Sequence, residues 1–348
     1  MVTPIDPRPI PIRDLSVSVI PSSGVAVPLV CDEERIANFR FCSPCWEMIS
    51  TFGSDRSPTS HGRPQDQRLE TPMERPAWAP PGIDISVPSV SRIYDYYLGG
   101  SHNFEVDRQT ARRAMEFMPG LPKIMQANRA FMRRAVRHAV AEGVTQFLDI
   151  GSGIPTFGNV HEIAQAASPQ ARVVYVDHDP VAVAHSRAVL AGDDHSGIVA
   201  ADLRKPKEIL AAPEVGRLLD LGRPVALLLV AVLHFLEDTD DPYAAVAELR
   251  DALAPGSLLI LTHASYEGIP LTQEAAAGTV GVYRDMRNPL VMRTREQIGG
   301  FFDGFEMLEP GLVSMPDWRP DRPDDGEDGE TPEDPYAFSG FGGVGRKA

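Results

Sequence analysis

Asp149-Ile150-Gly151-Ser152-Gly153-Ile154-Pro155-Thr156 closes an apolar run that begins at Val144 and marks the chain as an α/β protein with a parallel sheet. Val144 to Ile150 reads as a short buried strand, and glycines directly behind it let the backbone turn sharply and come close to a ligand. Two glycines after an apolar strand are common in such folds, so the neighbouring residues must say what the turn holds. A dinucleotide site, G-x-G-x-x-G, sets a pyrophosphate on a helix N-terminus, but the third glycine position here is Thr156. An acid, Asp149, stands ahead of the first glycine. It repels a phosphate and attracts a cation.

Two more acids recur at strand spacing. After a helical stretch from Asn159 to Ala167, the run Arg172-Val173-Val174-Tyr175-Val176 is a second buried strand ending in Asp177-His178-Asp179-Pro180. An acid at the tip of a second strand accepts both hydroxyls of a ribose, a feature shared with dinucleotide enzymes. Ile198-Val199-Ala200-Ala201 then leads to Asp202-Leu203, a carboxylate and an apolar side chain suited to the amino edge and the face of an adenine. Each acid alone reads equally as a helix cap or a solvated loop residue. Three at successive strand ends read as one site. S-adenosylmethionine joins an adenosine to a sulfonium and an ammonium and carries no phosphate, so it is the expected ligand. Its candidate contacts are Asp149, Gly151, Gly153, Asp177, His178, Asp202 and Leu203.

Pro224 to Leu233 is a fourth strand, apolar on both faces as a central parallel strand should be, with Val230 a further cofactor-contact candidate. His234-Phe235-Leu236-Glu237-Asp238 follows at once. Ligands of open parallel sheets lie outside the carboxyl ends of the strands, so His234 is expected to face the crevice, although a capping or packing role fits it equally. Asp241 and Pro242 start a helix whose Ala245, Val246, Leu249 and Leu253 recur at helical spacing, and Pro255-Gly256 ends it. Ser257 to Thr262 is a fifth strand with His263 at its tip.

These sets, together with Arg92-Ile93-Tyr94-Asp95-Tyr96-Tyr97-Leu98-Gly99-Gly100, Asn103, Asp107, Ala127-Asn128-Arg129-Ala130-Phe131 and Asp251 to Ser257, carry a resemblance. From about Val90 to Lys347 the chain resembles an actinobacterial family of S-adenosylmethionine-dependent methyltransferases of the Rossmann-like class I type. The resemblance implies the cofactor, methyl transfer and a doubly wound, seven-stranded, mostly parallel sheet. It implies no acceptor.

Ahead of the first strand, residues 89–142 read as a helical lid. Ile124, Phe131, Ala135 and Ala139 form one apolar stripe, with Arg133, Arg134 and Arg137 assigned to the opposite face. Tyr94, Tyr96 and Tyr97 before Gly99-Gly100 suit a segment that closes over the cofactor, or an ordinary packed helix with a glycine cap. Gly99, Asn103 and Arg129 are candidates for the cofactor's amino-acid end: close approach, hydrogen bonds, and pairing with the carboxylate. After the fifth strand, Tyr266 to Asn288 is a candidate substrate cap with Tyr283, Arg284 and Arg287. A helix from Thr294 to about Gly304, a sixth strand at Phe305–Leu308 and a seventh between Tyr336 and Gly345 complete the sheet. The acidic, proline-rich run from Asp317 to Asp334 reads as a solvated loop.

Residues 1–85 read as a proline-rich extension without a core, and residues 86–348 as the domain. Cys31, Cys42, Cys45 and His61 lack the second tight pair that a metal site needs, so no metal is expected. Met73 is the expected start of translation. The net charge of −15 disfavours nonspecific binding to nucleic acid or anionic membranes. No apolar run is long enough to span a bilayer, and the cytoplasm is the expected compartment. The expected activity is methyl transfer from S-adenosylmethionine to a small-molecule acceptor, with His234 as the first candidate base, then His263, Tyr97 and His102, if the acceptor must lose a proton. A noncatalytic S-adenosylmethionine-binding regulator and a nicotinamide-dependent oxidoreductase are the alternatives.

Overall fold

Each central strand buries both of its faces, because residues adjacent in sequence fall into different cores. Phe147, Leu228 and Ile260 pack on one side of the sheet, and Leu148, Leu227 and Leu259 on the other. The computed structural model describes residues 76, 78–80, 83–155, 158–267, 272–284, 286, 289–321 and 340–348. Cys31, Cys42, Cys45, His61, Met73, Thr156, Arg287 and the acidic run from 322 to 334 lie outside them.

In chain order the elements are α1 (Val90–Tyr97), α2 (Glu105–Phe117), α3 (Leu121–Ala141), β1 (Gln146–Ile150), α4 (Val160–Ala167), β2 (Arg172–Asp177), α5 (Pro180–Val189) and β3 (Ser196–Ala200). There follow α6 (Pro206–Leu210), α7 (Pro213–Leu218), β4 (Ala226–Val230), α8 (Pro242–Ala252), β5 (Leu258–Ala264), α9 (Gln273–Arg284), α10 (Arg295–Gly300), β6 (Phe305–Met307), β7 (Val313–Ser314) and β8 (Gly340–Lys347). The eight described strands run in the order β3-β2-β1-β4-β5-β8-β6, with β7 paired to β8. β1 to β5 are parallel, and β8 is antiparallel to both β5 and β6. This is the expected doubly wound sheet with one two-residue strand, β7, added. The order reverses between β1 and β4, and a crevice opens at such a switch point.

Local chemistry sets the boundaries. Asp179 caps α5 by accepting from Val181 N at 2.7 Å, and Thr294 caps α10 by accepting from Gln297 N at 3.1 Å. The glycines of β8 sit where neighbours leave no room: a Cβ at Gly342 would stand 2.9 Å from the Phe131 ring of α3, and one at Gly345 2.9 Å from Phe302. β4 stops at Val230, short of the expected Leu233, because Ala231 turns left-handed at φ 55°. His234 therefore sits on a single 3₁₀ turn, Leu233–Phe235. β5 runs on to Ala264, since His263 and Ala264 pair with Phe341 and Gly340, so His263 lies within the strand and not at its tip.

On α3, Arg134 departs from the face expected for it. Arg134 is buried, and its guanidinium donates to the carbonyls of Trp318 at 2.9 Å and Met315 at 2.7 Å. It does not share the solvent face with Arg137, because the chain after β7 folds back over that side of the helix and leaves carbonyls for it to satisfy.

Candidate functional site

The glycine turn and the second strand-end acid are built as one unit. Gly151 N and Ser152 N both donate to Val176 O, at 2.8 and 3.2 Å, which closes the turn against β2. Gly153 N then donates to Asp177 Oδ2 at 2.7 Å, and Asp179 N to Asp177 Oδ1 at 2.8 Å. Gly151 has φ +76°, and a Cβ there would fall 2.3 Å from Val232 Cγ2, so the position admits no side chain. Gly153 has φ +69° with no atom within 4 Å of such a Cβ.

Asp149, Gly151, Gly153, Asp177, His178, Asp202, Leu203, Val230 and Arg129 all line one cleft at the carboxyl ends of β1, β2, β3 and β4, enclosing about 980 Å³ of space partly open to solvent. Burial pushes the Asp149 carboxyl up to about 7, with Arg129 drawing it down and Asp177 pushing it further up. Burial also raises Asp177, against the backbone donors of Asp179 and Gly153. Asp202 is gripped by Arg204, whose Nη2 lies 2.6 Å from Oδ2, and this pairing holds its carboxyl below the usual range despite partial burial. The Ser152 hydroxyl is buried with no protein partner among the described residues. Three carboxyl groups, a guanidinium, a hydroxyl with no partner among the described residues and an unobstructed glycine are a set of groups that suits an adenosyl amino acid with a cationic sulfur.

A second cavity of about 710 Å³, partly open, adjoins the cleft, and Val90, Tyr94, Asn128, Ala231 and Phe235 line both. The shared wall is held by a buried relay. Ala231 N donates to Thr262 Oγ1 at 2.9 Å, and Thr262 Oγ1 donates to Asn128 Oδ1 at 2.7 Å. Asn128 Nδ2 donates to the Tyr94 hydroxyl at 2.9 Å, which donates to Met125 O at 3.3 Å. The second cavity is mostly apolar, with Met118, Leu121, Met292 and Met315 in its wall, and among the described residues no Asp, Glu, Lys or Arg lines it. Its polar groups include the Tyr97 and Tyr283 hydroxyls, 2.9 Å apart, and His234. Burial drives Tyr97 well above its usual value and Tyr283 up to about 12.

His234 lines this second cavity and not the cleft. Its Nδ1 accepts from Ala264 N at 3.2 Å, which puts the ring proton on Nε2. Burial, the neighbouring His263 and Arg293 all hold its pKa far below 6.5, so the ring is neutral. His263 has the opposite tautomer: Nδ1 donates to Ala264 O at 2.7 Å, and Nε2 accepts from Arg293 Nη1 at 3.0 Å. Burial lowers its pKa to about 4.

Three residues of this arrangement escape the sequence reading. Asn128 and Thr262 build the shared wall, and Arg293 clamps the His234 segment by donating to Leu233 O at 3.2 Å, Leu236 O at 3.1 Å and Asp238 Oδ1 at 2.6 Å. A signal for Asn128 exists: it falls in register with Ile124, Phe131 and Ala135 on a stripe that should be wholly apolar. Arg293 follows a stretch without periodicity and carries no such mark.

Gly99 and Asn103 do not line the cleft. Gly99 ends α1 at φ +78°, its N–H donating to Tyr96 O. Asn103 is buried with Nδ2 donating to Asp95 Oδ2 and Gly100 O, while Oδ1 accepts from Arg108, so its amide holds the turn between α1 and α2. His102 packs against His185 and Trp78, away from both cavities. Arg284 is exposed, and Tyr283 reaches the second cavity. The start of α1 is anchored through Asp107, which accepts from Ser89 N at 2.9 Å, Phe104 N at 2.8 Å and Arg92 Nε at 2.8 Å.

A family model described as S-adenosyl methyltransferase matches residues 76–348. Among solved structures, the chain is similar to a protein of Thermobifida fusca YX provisionally assigned as a methyltransferase, with 42% identity over 78% of this chain and 99% of that one and a TM-score of 0.71. A DUF574 family protein of Streptomyces avermitilis MA-4680 is 38% identical over 76% of this chain and 99% of its own, with a TM-score of 0.70. No curated protein matches. No helix among the described residues is long and apolar enough to cross a membrane.

Proposed function

Since the chain belongs to the S-adenosyl methyltransferase family and is a methyltransferase that uses S-adenosylmethionine, we propose that it methylates a small molecule seated in the second cavity. The observation that carries this reading is the shared wall: one group of side chains faces both the cofactor cleft and a separate apolar cavity. When bound, S-adenosylmethionine supplies a methyl group on a sulfonium that is already activated toward nucleophiles. The protein's task is then alignment and exclusion of water.

Each cleft residue has a role in that task. Asp177, preset by the Gly153 and Asp179 amides, accepts the ribose hydroxyls. Asp149 faces the ammonium and Arg129 the carboxylate of the amino-acid end. Leu203 and Val230 pack against the adenine, and Asp202 reads its amino edge. Gly151 lets the backbone approach; His178 closes the exposed side. Val90 and Tyr94 of α1 cover the cleft where it meets the second cavity, which makes α1 a lid anchored at Asp107. The Ala231–Thr262–Asn128 relay keeps the passage between the cavities at a fixed shape.

Neither the oxidoreductase nor the regulatory reading finds support in the matched family. Incubation of the protein with methyl-labelled cofactor and a small-molecule extract of an actinobacterium tests the proposal. Label should enter a low-mass product, and a lost signal with Asp177→Ala should confirm the route. Label appearing only in added protein or RNA would contradict it.

A further inference from the structure

Among the described residues the second cavity has no Asp, Glu, Lys or Arg in its wall, and the titratable groups there are held neutral by burial. Tyr97 and Tyr283 remain phenols, sharing one hydroxyl contact at 2.9 Å. An ion entering this space would leave water for a wall without a counter-charge, which is strongly unfavourable. Methionines at 118, 125, 292 and 315 supply a deformable, polarisable lining suited to a flat apolar body.

Among the polar groups of this wall, His234 has a fixed tautomer. The Ala264 amide occupies His234 Nδ1, so the hydrogen is on Nε2, which has no partner among the described residues. The backbone donor, Ala264 N, sits at the end of β5, where Ala264 pairs with Gly340 of β8, and this pairing holds it against admitting the other tautomer. A ring fixed in this way donates; it does not take up a proton at Nε2.

We propose that the acceptor is an uncharged, mainly apolar, ring-sized molecule with a hydrogen-bond-accepting oxygen or nitrogen, and that His234 positions it by donating from Nε2. This rests on the reading of the second cavity as the acceptor site. It makes His234 a positioning residue and assigns it no proton abstraction.

The test measures binding, not turnover. S-adenosylhomocysteine is first titrated calorimetrically into the protein, which checks the cofactor reading by itself. With that ligand saturating, 1-naphthol, 1-naphthoate and 1-naphthylmethylammonium are titrated in turn as probes. The naphthol should bind, and the two ions should bind about tenfold or more weakly, the penalty for an unpaired charge in an uncharged cavity. Leu290→Trp, which fills the second cavity from a loop position, should abolish naphthol binding while S-adenosylhomocysteine affinity stays within about threefold. His234→Gln keeps a side-chain N–H donor and should retain naphthol affinity within about threefold, whereas His234→Ala should lose about fivefold or more. Normal S-adenosylhomocysteine binding with no naphthol binding, or with either ion bound as tightly, overturns the inference and leaves the cofactor reading intact. Equal loss in His234→Gln and His234→Ala overturns the donor role. Failure to bind S-adenosylhomocysteine removes both readings together.

Discussion

Thr262→Val replaces a buried hydroxyl by a methyl of similar size, so packing changes little and the hydrogen bonds carry the effect. Thr262 is 1% exposed, and its Oγ1 is the middle of the relay, accepting from Ala231 N at 2.9 Å and donating to Asn128 Oδ1 at 2.7 Å. Without it Asn128 Oδ1 is buried and unpaired, a loss of about 1–3 kcal/mol. Ala231 N retains a longer contact to Thr262 O at 3.4 Å, which limits its share to about 1 kcal/mol. The sum is about 2–4 kcal/mol, a large fraction of the roughly 5–15 kcal/mol that holds a domain of this kind folded. Ala231 also bears the cost of a left-handed backbone at φ 55°, about 1–2 kcal/mol, so loss of its hydrogen bond should let that residue relax. Urea unfolding of the wild type, Thr262→Val, Asn128→Ala and the double variant measures both the loss and the coupling, expected at about 1–2 kcal/mol. A Thr262→Val variant within about 0.5 kcal/mol of wild type, or additive losses, would refute the claim that this relay holds the wall.

Gly151→Ala places a Cβ 2.3 Å from Val232 Cγ2 at a positive φ, so it should lower stability by about 2–4 kcal/mol in urea and weaken S-adenosylhomocysteine binding about tenfold or more. Asp149 is an acid whose pKa burial raises from 3.8 to about 7, so the native state retains a proton that the unfolded chain has already released. The Asp149 contribution to the stability of the free protein should therefore fall as pH rises from about 4 to about 7 and then level off. His234 and His263, whose pKa values burial lowers, contribute with the opposite sign, so it is the stability of the wild type relative to Asp149→Asn that should decline over this range. A ligand ammonium favours the ionised carboxylate, so S-adenosylhomocysteine affinity should rise about tenfold between pH 6 and pH 8 in the wild type and stay flat in Asp149→Asn. Arg293→Ala strips donors from the buried carbonyls of Leu233 and Leu236 and should lower stability by about 3 kcal/mol, read by thermal unfolding; no change would mean the clamp is redundant.

What the sequence reveals and what it hides have different physical origins. Strands β1, β2, β4 and β5 are legible because a parallel strand buried on both faces must be an unbroken apolar run. Asp149, Gly151, Gly153, Asp177, Asp202 and Leu203 are legible because a parallel sheet brings successive strand ends together, so spacing alone assembles the cleft. Arg134 is misread because a helical face is solvent only if nothing later in the chain covers it, and Trp318 and Met315 do. Asn103 is misread for a similar reason: whether an amide serves a ligand or a turn depends on who else reaches it, here Asp95, Gly100 and Arg108. The second cavity is not legible at all, since Tyr97 of α1, Met118 beyond α2, His234 of the 3₁₀ turn and Tyr283 of α9 come together only through tertiary packing.

Carboxylates at neighbouring strand ends are proposed to hold one cationic adenosyl amino acid, with Asp177 preset by the Gly153 and Asp179 amides. Calorimetric titration of S-adenosylmethionine into the wild type and Asp177→Ala tests this most directly. The wild type should bind at one site per chain, and the variant about tenfold or more weakly, since two hydrogen bonds to the ribose are lost. No heat with the folded wild type, or equal affinity in the two proteins, would contradict it.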